Sequence, residues 1–191
     1  MVEARAIVGL GNPGPKYTKT RHNLGFLVLA RLAERNGLKI TESKESKALC
    51  AFGSVAGQEC HLLWPLTFMN LSGRAVKPFA DKQQIPLENI LVVCDDLNLD
   101  FGVMRIRRDG GDGGHNGLAS ILESLTSDKF PRLRIGIGAP RRKDDTVDFV
   151  LEEFSKSEWK SLEAIVDKAC ECCEAWLTQD IEQVMNQFNK G

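Results

Sequence analysis

Ala6-Ile7-Val8-Gly9-Leu10-Gly11-Asn12-Pro13-Gly14 is a short apolar run that reads as a strand and passes directly into glycines. Gly9, Gly11 and Gly14 satisfy the G-x-G-x-x-G spacing of a dinucleotide-binding loop, but such a loop must open a helix and be followed about 20 residues later by an acid on a second strand. Here Pro13, Gly14 and Pro15 impose an irregular loop, helical spacing waits until Leu24, and Glu34 falls near the end of that helix. The dinucleotide reading, and with it a nicotinamide oxidoreductase, is disfavoured. The alternative is a tight turn at the carboxyl end of a strand, the edge where open α/β sheets place their ligands. Asn12 stands on that rim with an amide that donates and accepts, although an Asn in a turn often satisfies its own backbone.

Further strand signals recur at residues 62–64, 90–94, 103–106 and 133–137, with helical spacing at 24–33 before Gly37, at 71–79 and at 118–125. The alternation predicts an α/β fold: one domain over residues 1–191, with a twisted mixed sheet flanked by helices. A helical C-terminal tail follows. Trp159, Leu162, Ile165, Val166, Ala169, Cys173 and Trp176 mark one face of a long helix with Ser157 as its cap. Ile181, Val184, Met185 and Phe188 mark a last helix capped by Thr178. Both stripes read as core packing.

The chain has 191 residues, 42% of them hydrophobic and 27% charged, the balance of a soluble globular domain large enough for its own core. The longest stretch free of charged residues, 60–73, contains Pro65 and Asn70 and is shorter than the roughly 20 apolar residues of a bilayer span. With no secretory signal pattern at residue 1, the expectation is a cytoplasmic protein whose six cysteines are reduced and buried. The cysteines do not form the two C-x-x-C pairs of a zinc site, and only three histidines are present. Asp96, Asn98 and Asp100 begin like a calcium loop, but Phe101 and Arg107 occupy the positions that need Gly and Glu. No metal and no cofactor are expected. The net charge of -1 hides an uneven distribution: +2 over residues 1–100, +5 over 101–143 and -8 over 144–191.

Candidate chemistry lies at the ends of the strands. His22, in Thr20-Arg21-His22-Asn23, sits off the apolar stripe at the entrance to the first helix. A neutral imidazole there suits a general base, against the alternative of a surface or capping histidine. Asp95 ends the strand at 90–94 and can orient a histidine and stabilise its protonated form. Strand alternation puts Arg105 and Arg107 on one face, and Arg132 with Arg134 repeats the arrangement, suiting phosphate or a solvated charged face. Gly110-Gly111-Asp112-Gly113-Gly114-His115-Asn116-Gly117 runs into a helix without the Lys of a phosphate-binding P-loop, and Asn116 is either a cap or a ligand contact. Gly-x-Ser-x-Gly is absent, so no serine nucleophile is indicated.

Taken in order, Val8-Gly9-Leu10-Gly11-Asn12-Pro13-Gly14, Thr20-Arg21-His22-Asn23, Pro65 through Phe68-Met69-Asn70-Leu71-Ser72-Gly73, Asp95-Asp96-Leu97, Gly113-Gly114-His115-Asn116-Gly117 and Arg132-Leu133-Arg134-Ile135-Gly136-Ile137-Gly138 resemble the bacterial peptidyl-tRNA hydrolase family over about residues 4–151. The resemblance implies hydrolysis of the ester joining a peptide, or an N-acyl-aminoacyl group, to the 3′ end of tRNA released prematurely by ribosomes. It implies His22 as the general base, Asp95 as its supporting carboxylate and Asn12 as the amide that positions substrate or water. Asn70 and Asn116 would hold the peptide part, Tyr17 and Met69 would line the cleft, and Arg105, Arg107 and Arg134 would grip tRNA phosphate. Peptidyl-tRNA is then the partner of a monomer without membrane association. Asp112 is expected to weaken phosphate binding slightly, and Asn98 to matter little. The competing reading is a non-catalytic RNA-binding relative of the same fold, of the intron splicing type.

Overall fold

The computed structural model describes residues 4–140, 142 and 145–190. Its strands are β1 (Arg5–Gly9), β2 (Thr41–Ser43), β3 (Ala48–Val55), β4 (Gln58–Pro65), β5 (Ile90–Asp96), β6 (Met104–Arg107) and β7 (Arg132–Gly136). They form one mixed sheet in the order β2-β3-β4-β1-β5-β7-β6, as the sequence predicts in class. The inner strands β4, β1, β5 and β7 run parallel, and antiparallel pairs close both ends.

Strand β5 is buried at all seven positions. Leu91 and Val93 enter one hydrophobic layer and Ile90, Val92 and Cys94 the other, as a strand covered on both faces requires. The first layer lies under α1 (Leu24–Arg35), α5 (Lys156–Thr178) and α6 (Ile181–Phe188); the second lies under α2 (Gly73–Gln83) and α3 (Asn116–Leu125). The C-terminal helices are thus part of the core: Leu162, Val166, Ala169, Cys173, Trp176, Val184 and Phe188 are all buried. Each of the larger aliphatic and Phe side chains among them contributes about 1.5–3 kcal/mol of transfer free energy. The six cysteines are free, and burial pushes the Cys60, Cys170 and Cys172 thiols up to about 12, leaving them neutral.

Several local expectations are corrected. Strands β2 and β3 were not predicted. The β3–β4 hairpin turns through Ala56 and Gly57, at φ 51° and 79°, without the Asn-Gly signature of such a turn, and β3 carries Gly53 and Ser54. The cap of α5 is Ser155, not Ser157: its hydroxyl accepts from Glu158 N–H (3.2 Å) while Glu158 Oε2 accepts from Ser155 N–H (2.7 Å), a reciprocal capping box. Thr178 closes α5, and Asp180 caps α6 through Glu182 N–H (2.9 Å). A short helix, α4 (Thr146–Leu151), was also unforeseen.

Just beyond α6, Asn189 lies along the open side of β6. Its Oδ1 accepts from Ile106 N–H (2.8 Å) and its Nδ2 donates to Ile106 C=O (3.1 Å), so one side chain imitates a neighbouring strand.

Candidate active site

The four parallel strands end at one edge of the sheet. Asn12 follows β1, Asp95 and Asp96 finish β5, and the 3-10 turn Met69–Leu71 follows β4. His22 reaches this edge because α1 rests directly on the strand ends: a Cβ on Gly25 would lie 2.4 Å from Leu10 N and from Val93 O, so only glycine permits the approach. The 3-10 turn Arg21–Asn23, just before α1, then sets the imidazole over β5.

His22 Nδ1 lies 2.9 and 3.0 Å from the two oxygens of Asp95, and His115 Nε2 lies 3.1 Å from Asp95 Oδ1. Hydrogen bonds fix both tautomers. His115 caps α3, its Nδ1 accepting from Gly117 N–H (3.1 Å) and Leu118 N–H (3.3 Å), so that atom carries no proton. The proton of neutral His115 therefore sits on Nε2 and is donated to Asp95. His22 donates its Nδ1 proton to the same carboxylate, which leaves its Nε2 lone pair for the cleft. Burial alone would push the Asp95 carboxyl up, but the charges and hydrogen bonds of His22 and His115 outweigh it and hold the group well below the carboxylate range.

Two imidazoles and a carboxylate within 4.8 Å of one another have the composition of a metal site. The cap on His115 argues against that use. Ligation through Nε2 would move the proton to Nδ1, facing two backbone N–H donors, and would break the start of α3.

Asn12 is held from both sides. Its backbone N–H donates to Asn23 Oδ1 (2.9 Å), its C=O accepts from Asn23 Nδ2 (3.0 Å), and its own Oδ1 accepts from Met69 N–H (2.8 Å). With Oδ1 engaged, the amide offers its NH2 to the cleft. The cleft, about 320 Å³, brings together Asn12, His22, Met69, Asn70, Asp95, Asn116 and Arg134 of the predicted residues. Val147, Val150 and Leu151 of α4 and the exposed Phe68 supply apolar walls. Arg21, next to the base, holds that wall in place, pairing with Glu158 (2.9 Å) and donating to Glu153 C=O (2.9 Å). Tyr17 is not among the lining residues. It sits on the 3-10 turn Pro15–Tyr17, which the Gly14-Pro15 bend carries outward, with Lys16 Nζ 4.7 Å from its ring.

The arginines are not equivalent. Arg132, expected on a basic surface, is 1% exposed and staples two loops, donating to the carbonyls of Phe130, Gly110, Gly111 and Asp128. Arg134 lines the cleft in an ion pair with Asp96 (Nε to Oδ2, 2.6 Å). Arg105 donates to the carbonyls of Met104 and Asn189, whereas Arg107 is exposed; neither lines the cleft. Arg141 and Lys143, counted in the basic segment, lie outside the described residues. Asp112 binds its own loop, Oδ1 accepting from Gly114 N–H (2.7 Å).

His115 and Asn23 escaped the sequence reading as site residues, although each adjoins a residue that was selected. His115 stands inside a glycine turn that any ligand-approach argument would search; Asn23 gives no signal beyond its neighbour.

A sequence model of the family described as peptidyl-tRNA hydrolase matches residues 6–191. A Bacillus pumilus protein of that name is 45% identical over 185 residues, covering 97% of this chain and 98% of its own. One from Bacteroides fragilis is 45% identical over 184 residues, covering 96% and 97%. The crystal structure of peptidyl-tRNA hydrolase from Acinetobacter baumannii is similar with a TM-score of 0.93 and 37% identity, covering 100% of this chain and 96% of that one.

Proposed function

This chain belongs to the peptidyl-tRNA hydrolase family, and we propose that it cleaves the ester between a peptide and the 3′ end of tRNA with His22 as the general base. The observation that carries the role of His22 is its hydrogen bonding: Nδ1 is bound to Asp95 and Nε2 is left toward the cleft. Nε2 takes a proton from water as the water oxygen attacks the ester carbonyl, and Asp95 stabilises the imidazolium that forms. The imidazolium then returns the proton to the departing ribose oxygen. An ester is a better acyl donor than an amide, so one activated water suffices without a covalent enzyme intermediate.

Asn12 is the positioning amide, supported by its fixed orientation on Met69 and Asn23. Asn70 and Asn116, which both line the cleft, are suited to backbone groups of the peptide, and Arg107, Arg134 and Arg105 to the tRNA. Among the described residues no helix is long and apolar enough to cross a membrane. We read the protein as a cytoplasmic monomer. The relatives compared carry the hydrolase name, and no observation favours the splicing-type alternative.

The test is release of free tRNA from an N-acyl-aminoacyl-tRNA, with unacylated aminoacyl-tRNA as the control. Hydrolysis confined to the acylated substrate, with His22→Ala losing about 10²–10⁴-fold in kcat and little in tRNA affinity, is the expected result. Binding without turnover in the unmodified protein would move the assignment to an RNA-binding role.

A further inference from the structure

Asp96 takes no part in the histidine cluster, yet it is buried at the floor of the cleft. Its Oδ2 lies 2.6 Å from Arg134 Nε; its Oδ1 accepts from Asn98 N–H (2.8 Å) and Asn98 Nδ2 (3.2 Å). Asn98 Nδ2 also donates to Gly113 C=O (3.1 Å), tying the glycine loop to the same carboxylate. Gly113, at φ 59°, lies on the guanidinium itself: a Cβ there would be 2.8 Å from Arg134 Nη2. Arg134 is therefore held by a carboxylate on one side and backbone on the other, with 28% of its side chain exposed against 3% for Asp96. A buried anion in contact with a guanidinium cancels its charge at a distance and leaves the remaining N–H groups as directional donors.

We propose that Asp96 is a specificity-determining positioning residue: it silences the long-range attraction of Arg134 for RNA and fixes the guanidinium as an oriented donor to a tRNA end seated in the cleft. This rests on the reading that Arg134 meets tRNA. Exposed Arg107, with no ion pair among the described residues, supplies unscreened attraction; Arg134 supplies selection.

Salt dependence separates the two. An unpaired cation that neutralises a phosphate contributes roughly 0.7–0.9 to the slope of log affinity against log salt. Arg134→Met is expected to raise KM several-fold and leave that slope alone. Asp96→Asn exposes the cation, so the slope steepens by roughly 0.7–0.9 and deacylated tRNA and unrelated single-stranded RNA bind several-fold tighter at low salt. Asn98→Ala, which keeps the charge pair and cuts the tie to Gly113, is expected to raise KM several-fold at an unchanged slope, and it serves if Asp96→Asn does not fold. Filter binding, steady-state kinetics from low to moderate salt and melting curves on the full chain supply the readouts. An Asp96→Asn protein with lowered melting temperature but the original slope makes Asp96 merely structural and overturns the proposal, as does an Asn98→Ala protein whose slope changes or whose KM does not. If Arg134→Met itself lowers the slope, Arg134 is an ordinary phosphate cation and the proposal fails. If it changes neither KM nor slope, the tRNA-contact reading of Arg134 fails first.

Discussion

Two consecutive aspartates end β5, and the pleat turns them to opposite faces of the sheet. Asp95 meets two imidazoles on the side of α1, and Asp96 meets one guanidinium beneath the glycine loop. Both are buried, so burial does not distinguish them. Their partners do. An imidazole gives up and takes back a proton near neutral pH, so a carboxylate bound to it adjusts a base; a guanidinium keeps its protons, so a carboxylate bound to it sets direction and net charge only. One side of the strand is therefore read in kcat, the other in KM and its response to salt.

The strongest way to break this division is Asp95→Asn. An amide has neither the negative charge nor the second acceptor oxygen that Asp95 presents to His22 Nδ1, and its NH2 drives His22 toward the wrong tautomer. A fall of about 10²–10⁴-fold in kcat is expected, with the salt slope unchanged. The same substitution reports on acid stability. Asp95 has a lowered pKa in the folded protein against an ordinary value of 3.8, so its stabilisation is complete above that value and fades as pH falls through the lowered one. The melting-temperature gap between the original protein and Asp95→Asn is expected to be widest near neutrality and to narrow below about pH 4; a constant gap would show that the carboxylate is not stabilised in the fold. Next in size is Arg107→Ala: KM is expected to rise several-fold and the salt slope to fall by roughly 0.7–0.9, with kcat intact. Loss of kcat at an unchanged slope would place Arg107 on the wrong side of the comparison. Smallest is Ser155→Ala, which removes the hydroxyl of the α5 cap while leaving the Arg21–Glu158 pair. About 1 kcal/mol of stability, seen in denaturant titration, should be lost with both kinetic parameters unaffected.

How far the sequence reaches can be seen in the same residues. The strand ending at Asp95 was legible because a continuous apolar run has one plausible fate in an α/β chain, and the chemistry at its carboxyl end follows from topology. His22 was legible as a residue off its helical stripe. His115 was not given a role, because its bond to Asp95 joins parts of the chain 20 residues apart in sequence, while its Nδ1 cap is a local contact with Gly117 and Leu118 that by itself marks only a helix start. Arg132 misled for a related reason. Alternation correctly put it on the face of Arg134, but periodicity cannot show that the glycine loop returns over that face, which turns a surface cation into a buried staple. The β3 strand hid because its partner β4 and the Ala56-Gly57 turn, not its own residues, define it. At the helix ends, Ser155 and Ser157 offered equivalent hydroxyls; only the three-residue spacing from Ser155 to Glu158 tells them apart.

The amide of Asn189 clipped to Ile106 has a bearing on self-association. The far margin of the sheet, β2, is only three residues long, while β6 is the margin on which another chain would most readily add a strand. By occupying both backbone groups of Ile106, Asn189 denies an incoming strand its central hydrogen bonds. A substitution that removes this amide would leave catalysis to the other end of the strands and open a route to edge-to-edge polymerisation.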